Sequence, residues 1–326
     1  MSTQEAMYFP ILRGRQNELL AIRELAENGK LDHIVPIIEP VKSSNTLIKT
    51  LAESFNRGAT IGIVLNPRVG SFDNDLHNYP DYEKRYYNLI HNHADKVMIV
   101  LNVSGRNSNT LEDQLLRMEK EFPDAVGCSV IVSRGIKREV ASSLRSLQEG
   151  GIIHDVIGAF PKPLNSFKRH RILLTDGFRA RVRNADYRDE DDEFFSESPS
   201  TYPLYRCKGF SDYSIVGEAF KSGGFSPRAV ALHITYFDEE DDVRVKHFVS
   251  ERPDDTGRVP DKYASAVKAL YDWSTSQNET SLPRTIGLKG FLSTYEDERF
   301  PGLGFAKKLS IMHHLEMIDW YLGGAE

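Results

Sequence analysis

Short apolar runs, each followed by an amphipathic stretch, fill the first 178 residues, and this alternation constrains the fold more than any other feature. The runs YFPILR (8–13), HIVPIIEP (33–40), TIGIVLNPR (60–68), KVMIVLNVS (96–104), CSVIVSRG (128–135), IIHDVIGAF (152–160) and HRILLTDGF (170–178) read as strands. The third is nearly all apolar, as burial on both faces of a parallel sheet demands. Between them Leu19, Ile22, Leu25 and Ala26 share one helical face, and Leu47, Leu51 and Phe55 share another, with the second helix starting near Ser44-Asn45. A Gly/Asn/Asp-rich loop (69–80) is expected to lead into a helix near 81–94. Two further helices bury Leu111, Leu115 and Met118, then Val140, Leu144 and Leu147. Over most of this span the strands start about 25 to 37 residues apart, the length of one βα unit. No dinucleotide-binding glycine fingerprint and no phosphate-loop motif occurs. A closed (β/α)8 barrel is therefore favoured over an open doubly wound sheet.

After residue 178 the pattern breaks. DGFRARVRNADYRDEDDEFF (176–195) sets four arginines against five consecutive acids, and no helical or strand period survives it. The stretch 179–208 accordingly reads as an inserted charged loop, a lid or contact surface over the barrel mouth. GFSDYSIVG (209–217) offers a short eighth strand. AVALHITYF and VRVKHFVS (229–250), joined by the turn Asp238 to Asp242, read as an antiparallel hairpin. Amphipathic helices within 262–322 are expected to close the barrel. The fold class is thus α/β, a (β/α)8 TIM-barrel-like single domain over 1–326 with the charged loop and an added antiparallel β-hairpin.

Composition narrows the function classes. A net charge of −6 and a pI near 6.0 give no support for a global nucleic-acid or anionic-membrane surface, though local basic clusters remain able to bind phosphate. No window approaches a transmembrane helix, and MSTQEAMYFPILRG lacks the basic start and long apolar core of a signal peptide, so a cytoplasmic protein is expected. Cys128 and Cys207 make neither a disulfide framework nor a metal-ligand spacing. Cys128 reads as a small buried hydrophobe.

In barrels the working face is built from the loops after the strands. The residues that end the runs are Arg13 and Arg15, Glu39, Asn66 and Arg68, Asn102 and Arg106, Arg134, and Asp176. With Arg179, Arg181 and Arg183 they suggest a converging arginine set, whose planar forks match phosphate oxygens. The alternative is that each arginine pairs with a local acid. Glu39 and Asp176, with Asp186 and Asp212 behind them, are candidates for general acid/base work or as the structural partners of arginines. A divalent metal would suit such acids, but no motif supports one, and the cofactor stays open. His233 and His247 fall on facing positions of the hairpin, where a structural hydrogen bond is the favoured reading over a metal pair. His313 and His314 lack the zinc-helix spacing, and no serine sits in a nucleophile elbow.

MYFPILRGRQNELLAIRELA, IVPIIEPV, RNADY, the Phe194-Phe195 pair, GFSDYSIVG, AVALHITYF and KHFVS, in that order, resemble the beta-protein family of bacteria and phage. The resemblance runs from about residue 7 to 272 and is closer to the bacterial branch. It implies a barrel-like fold and a neighbourhood of mobile elements and anti-phage systems, often beside a second protein. Asp176, Asn184, Asp186, Tyr187, Asp212 and Tyr213 fall in the matching stretches, and the family brings no established catalytic residues. The expected function is a defence component whose arginine-rich mouth, with Arg183, Asn184, Tyr187 and Tyr213 as further contacts, binds a phosphate-bearing ligand (nucleic acid or nucleotide) and can hydrolyse it. The alternative is a non-catalytic protein that recognises a phage product or scaffolds a partner. No membrane contact is expected.

Overall fold

Eight strands pair in parallel: β1 (Ile11–Leu12), β2 (Ile37–Ile38), β3 (Ile61–Val64), β4 (Val97–Val103), β5 (Gly127–Val132), β6 (Asp155–Gly158), β7 (Arg171–Leu174) and, last in the sheet, β9 (Gly209–Ser211). This computed structural model describes residues 7–104, 110–133, 135–160, 167, 170–220, 227–251 and 255–324. The sheet returns on itself. Tyr8 bridges both Ile34 and Phe210, and the amides of Phe9 and Ile11 donate to the carbonyls of Phe210 (2.9 Å) and Asp212 (2.8 Å). The result is a nearly closed α/β barrel of the TIM type. Ile37, Ile38, Ile63, Val64, Val100, Val130 and Ile157 are buried in it, which is why the strands read as unbroken apolar runs.

Helices α1 (Gln16–Glu27), α2 (Asn45–Asn56), α3 (Phe72–Asn78), α4 (Pro80–Asn92), α5 (Leu111–Glu121) and α6 (Arg138–Glu149) follow β1 to β5. Ser44 caps α2, its hydroxyl accepting from the Leu47 amide at 3.1 Å. The stretch 69–80, expected as a loop, contains α3. Phe72 and Leu76 are buried four residues apart, and Asp73 and Asp75 sit in its first turn, where the helix dipole favours acids.

The described residues form two compact units. The barrel unit runs up to Thr175 and resumes at Thr201–Asp212; the second unit holds Asp176–Ser200 and the chain from Tyr213 onward. In the second unit β8 (Asp192–Ser196), β10 (Ala231–Phe237) and β11 (Val243–Val249) make an antiparallel sheet in the order β10-β11-β8. Leu232, Ile234 and Phe248 pack there against Tyr263, Leu270, Phe291 and Leu309 of α8 (Val259–Ser274), α9 (Ile286–Glu296) and α10 (Leu303–Leu322). Full burial of such side chains contributes about 1.5–3 kcal/mol each.

The charged run 179–208 is not one loop. It contains a short 3-10 helix (Asn184–Arg188), β8, the single-turn α7 (Ser198–Thr201) and another 3-10 turn (Tyr202–Tyr205). Its acidic half folds back on its own arginines. Arg181 pairs with Glu190 and Glu193, and Arg183 pairs with Asp186.

Candidate functional site

The residues that end the first four barrel strands meet in one hydrogen-bonded cluster built around Glu39. Glu39 follows β2 and is 1% exposed, so its charge needs partners inside the protein. The guanidinium of Arg13, after β1 and itself buried, bonds Oε2. The Arg68 backbone amide donates to Oε1 at 2.7 Å, and the Asn102 side-chain amide reaches the same oxygen at 3.2 Å. Asn66 and Asn102 lock the ends of β3 and β4 together: the Asn102 amide donates to Asn66 Oδ1 at 2.7 Å, and Asn66 Nδ2 donates to the Asn102 carbonyl at 3.0 Å. Gly14, at φ 60, allows the chain leaving Arg13 to pass the Glu39–Pro40 backbone; a Cβ there would sit 3.1 Å from the Glu39 carbonyl.

At the rim of this cluster lie the more accessible cations. Arg68 is exposed, and its guanidinium donates to Ser133 Oγ at 2.7 Å, just beyond β5. Arg15 is half-buried in the turn before α1. Five expected residues therefore come together: Arg13, Glu39, Asn66, Arg68 and Asn102. Arg106 and Arg134 lie outside the described residues. One participant was missed in the sequence. Glu18 on α1 is buried and accepts from the Arg13 amide at 2.6 Å. An acid four and seven residues before Ile22 and Leu25, on the apolar face, was the available signal.

The other candidates have partners of their own. Asp212 is buried in the barrel and accepts from the Tyr8 hydroxyl at 2.7 Å across the closing seam; burial and this carboxylate hold the Tyr8 phenol well above its usual range. Asp176, Asp186, Arg183, Asn184, Tyr187 and Tyr213 belong to the second unit. Asp176 accepts from the Glu218 amide at 3.1 Å. Asp186 accepts from the Arg183 side chain and backbone, and that hydrogen bonding lowers its carboxyl below the ordinary carboxylate value. Arg179, Arg181 and Arg183, expected among the strand-end cations, belong to the second unit and pair within it. Each lies against an acid of its own unit, Arg179 at 3.9 Å from Glu193, because the run carries its own counter-ions.

Tyr187 is buried, its hydroxyl accepting from the Arg181 amide, and its ring lies 4.7 Å from His233 and 4.5 Å from His247. The two histidines pair in register through Nδ1···Nδ1 at 2.8 Å, a structural hydrogen bond in which one ring donates and the other accepts. Asn184 donates to the Ala229 carbonyl at 2.8 Å and, with Phe178, His233, Lys307 and Ser310, lines a cavity of about 270 Å³. As for metal ligands, both oxygens of Glu39 already face cationic or amide donors. Among the described residues only His154, Asp155 and His170 bring three ligand atoms close together, at the opposite ends of the strands.

Fold and cluster together define a TIM-barrel-like α/β protein with a buried ion-pair network at the carboxyl ends of its strands and exposed arginine at the rim. Comparison with known proteins found no family model and no curated protein that matches the chain. Among the described residues no helix is long and apolar enough to cross a membrane.

Proposed function

We propose that the carboxyl-end face of the barrel binds a phosphate-bearing ligand, a nucleic acid or a nucleotide. The observation that carries this reading is Arg68. Its backbone amide is locked onto Glu39 while its guanidinium stands exposed beside Ser133. A cation on a fixed main chain loses little freedom when it closes on an anion, and a guanidinium reads phosphate bidentately. Arg15, two residues after the buried Arg13, and Arg134, next to Ser133 in the sequence, are the further cations this reading calls on.

Within this reading Glu39 positions and does not carry protons. Its two oxygens are held by the Arg13 guanidinium and two amide donors and the residue is 1% exposed, so recognition is favoured over hydrolysis. The resemblance to the beta-protein family supports a place in a bacterial anti-phage defence or mobile-element system, where the ligand would mark a phage product or be shared with a neighbouring partner protein.

The test is fluorescence anisotropy with a labelled single-stranded oligonucleotide, with inorganic phosphate and ATP as competitors. Affinity should fall steeply with added salt, as phosphate contacts require. Arg68→Ala should weaken it about tenfold without moving the thermal melt, since a charge-assisted bond is worth roughly 1.5–3 kcal/mol. Salt-independent binding, no binding, or binding indifferent to both Arg15→Ala and Arg68→Ala would return the protein to the scaffold reading.

A further inference from the structure

Three adjacent barrel strands begin with titratable groups on one small patch. His154 precedes β6, Asp155 opens it, His170 precedes β7, and Lys208 precedes β9. The parallel register sets Val156 opposite Arg171 and so brings Asp155 level with His170, whose carbonyl accepts from the Val156 amide at 2.9 Å. Asp155 is 2% exposed and fixed by the sheet. Its Oδ2 lies 3.1 Å from His154 Nδ1, and its Oδ1 lies 3.8 Å from His170 Nδ1 and 2.8 Å from the Lys208 ammonium. His170 holds a left-handed backbone, φ 53, which few residues other than glycine adopt.

We propose that His154, Asp155 and His170 form a binding site for a divalent transition-metal ion of borderline softness, such as zinc, with water in the remaining positions. Two imidazoles and a carboxylate are a donor set that such ions take, with open positions left over. One ligand atom from each residue lies within 4.8 Å of the others. Ligands at about 2.1 Å from a tetrahedral ion stand about 3.4 Å apart, so the set must contract by at most about 1.4 Å. The rigid member is the carboxylate. The two imidazoles, 49% and 47% exposed, have room to turn inward.

Lys208 shapes the site's behaviour. A buried carboxylate needs a counter-ion, and the ammonium supplies it when no metal is bound. Ammonium and metal then compete for Oδ1, and the lysine has an alternative position over the Phe9 ring, already 5.6 Å from its nitrogen. The site lies at the amino ends of the strands, away from the Glu39 cluster, so it stands or falls independently of phosphate binding.

The experiment is titration of the full chain with Co²⁺, read by its visible absorption, and with Zn²⁺ by calorimetry. One saturating equivalent is expected, with a low-coordinate cobalt spectrum. His154→Ala and His170→Ala should each weaken binding about tenfold or more, within the range that disturbed metal shells show. Lys208→Met should tighten binding several-fold, an effect that a merely structural lysine would not produce. Absence of saturable binding by the wild type overturns the proposal without recourse to any variant. It is also overturned if binding persists in the doubly substituted His154→Ala/His170→Ala chain, or if Lys208→Met leaves affinity unchanged or lowers it.

Discussion

Glu39 sits where water does not reach, with Arg13 as its counter-ion and the Arg68 and Asn102 amides completing its shell. Removing one member of such a buried pair strands the other, a cost of about 3–5 kcal/mol. Glu39→Gln should therefore lower the stability of the barrel by roughly that amount in urea melts followed by far-ultraviolet circular dichroism. A Glu39→Gln protein that is as stable as the wild type would remove the structural role and restore Glu39 as a catalytic candidate. The second residue-scale prediction concerns Cys128. Burial, with Glu119 nearby, pushes its thiol up to about 12, so almost no thiolate exists at neutral pH. A thiol reagent should label Cys128 only as fast as the protein unfolds; rapid labelling of the native chain at this position would contradict its burial. Arg13, Glu39, Asn66 and Asn102 were legible because each directly ends an apolar run, and a barrel gathers strand ends on one face. His154, Asp155 and His170 were not. They start strands, and the partner of the HD pair lies 15 residues away across a strand pairing that no spacing rule encodes.

Among the elements, β10 and β11 were readable from strict alternation and from the acidic turn between them, and their register joins His233 to His247 as the facing positions implied. The strand β8 was hidden because its inward position is occupied by an acid. Glu193 is 2% exposed and Phe195 is buried, while Phe194 between them points outward, so the alternation exists but its first inward residue is charged. The ion pair with Arg181 makes that burial tolerable. The same unit stores neutral histidines. Burial, reinforced by Arg181 and opposed by Asp191 and Asp192, lowers His247 from 6.5 to about 4; burial lowers His313 to about 4 as well, and puts His233 well below its ordinary value. In the unfolded chain these rings take up protons near 6.5, while in the folded one they resist until about 4. Their contribution to stability is therefore complete above about pH 6.5, falls as the pH drops toward 4, and flattens below that. For one such group the loss is on the order of 3 kcal/mol. Both tryptophans of the chain, Trp273 and Trp320, lie in α8 and α10 of this unit, so their fluorescence reads it selectively. Urea melts by fluorescence should show a midpoint that declines between pH ~6.5 and ~4. A midpoint flat across that interval would mean the histidines are charged in the fold or remain neutral in the unfolded chain.

At the scale of the molecule, the barrel's eight-strand count could be read from the spacing of βα units, but its means of closure could not. The chain leaves the barrel after Thr175 and returns for Thr201–Asp212, and only then does β9 fill the gap between β7 and the first strand. The charged run that separates these segments gives no periodic sign of the return. Closure is nevertheless close-fitting. A Cβ at Gly209 would stand 2.3 Å from the Met7 carbonyl and 2.9 Å from the Phe9 ring, and Ser211 Oγ donates to the Phe9 carbonyl at 2.6 Å. Without β9, two parallel edges lose their ladder bonds, and Tyr8 and Phe210, stacked at 4.9 Å, lose each other. Unpaired edges in a parallel sheet leave buried amides and carbonyls unsatisfied and invite association. A fragment ending at Thr175 should therefore show far-ultraviolet helix signal but no cooperative melt, and should bind a hydrophobic dye. Gly209→Val in the full chain should destabilise the barrel by at least about 1–3 kcal/mol, the usual cost of overpacking, because its clash is with backbone that cannot rotate away. If the fragment melts cooperatively at the temperature of the barrel in the full chain, the first seven strands are self-sufficient. In that case β9 is an accessory, and Gly209→Val should then be nearly neutral.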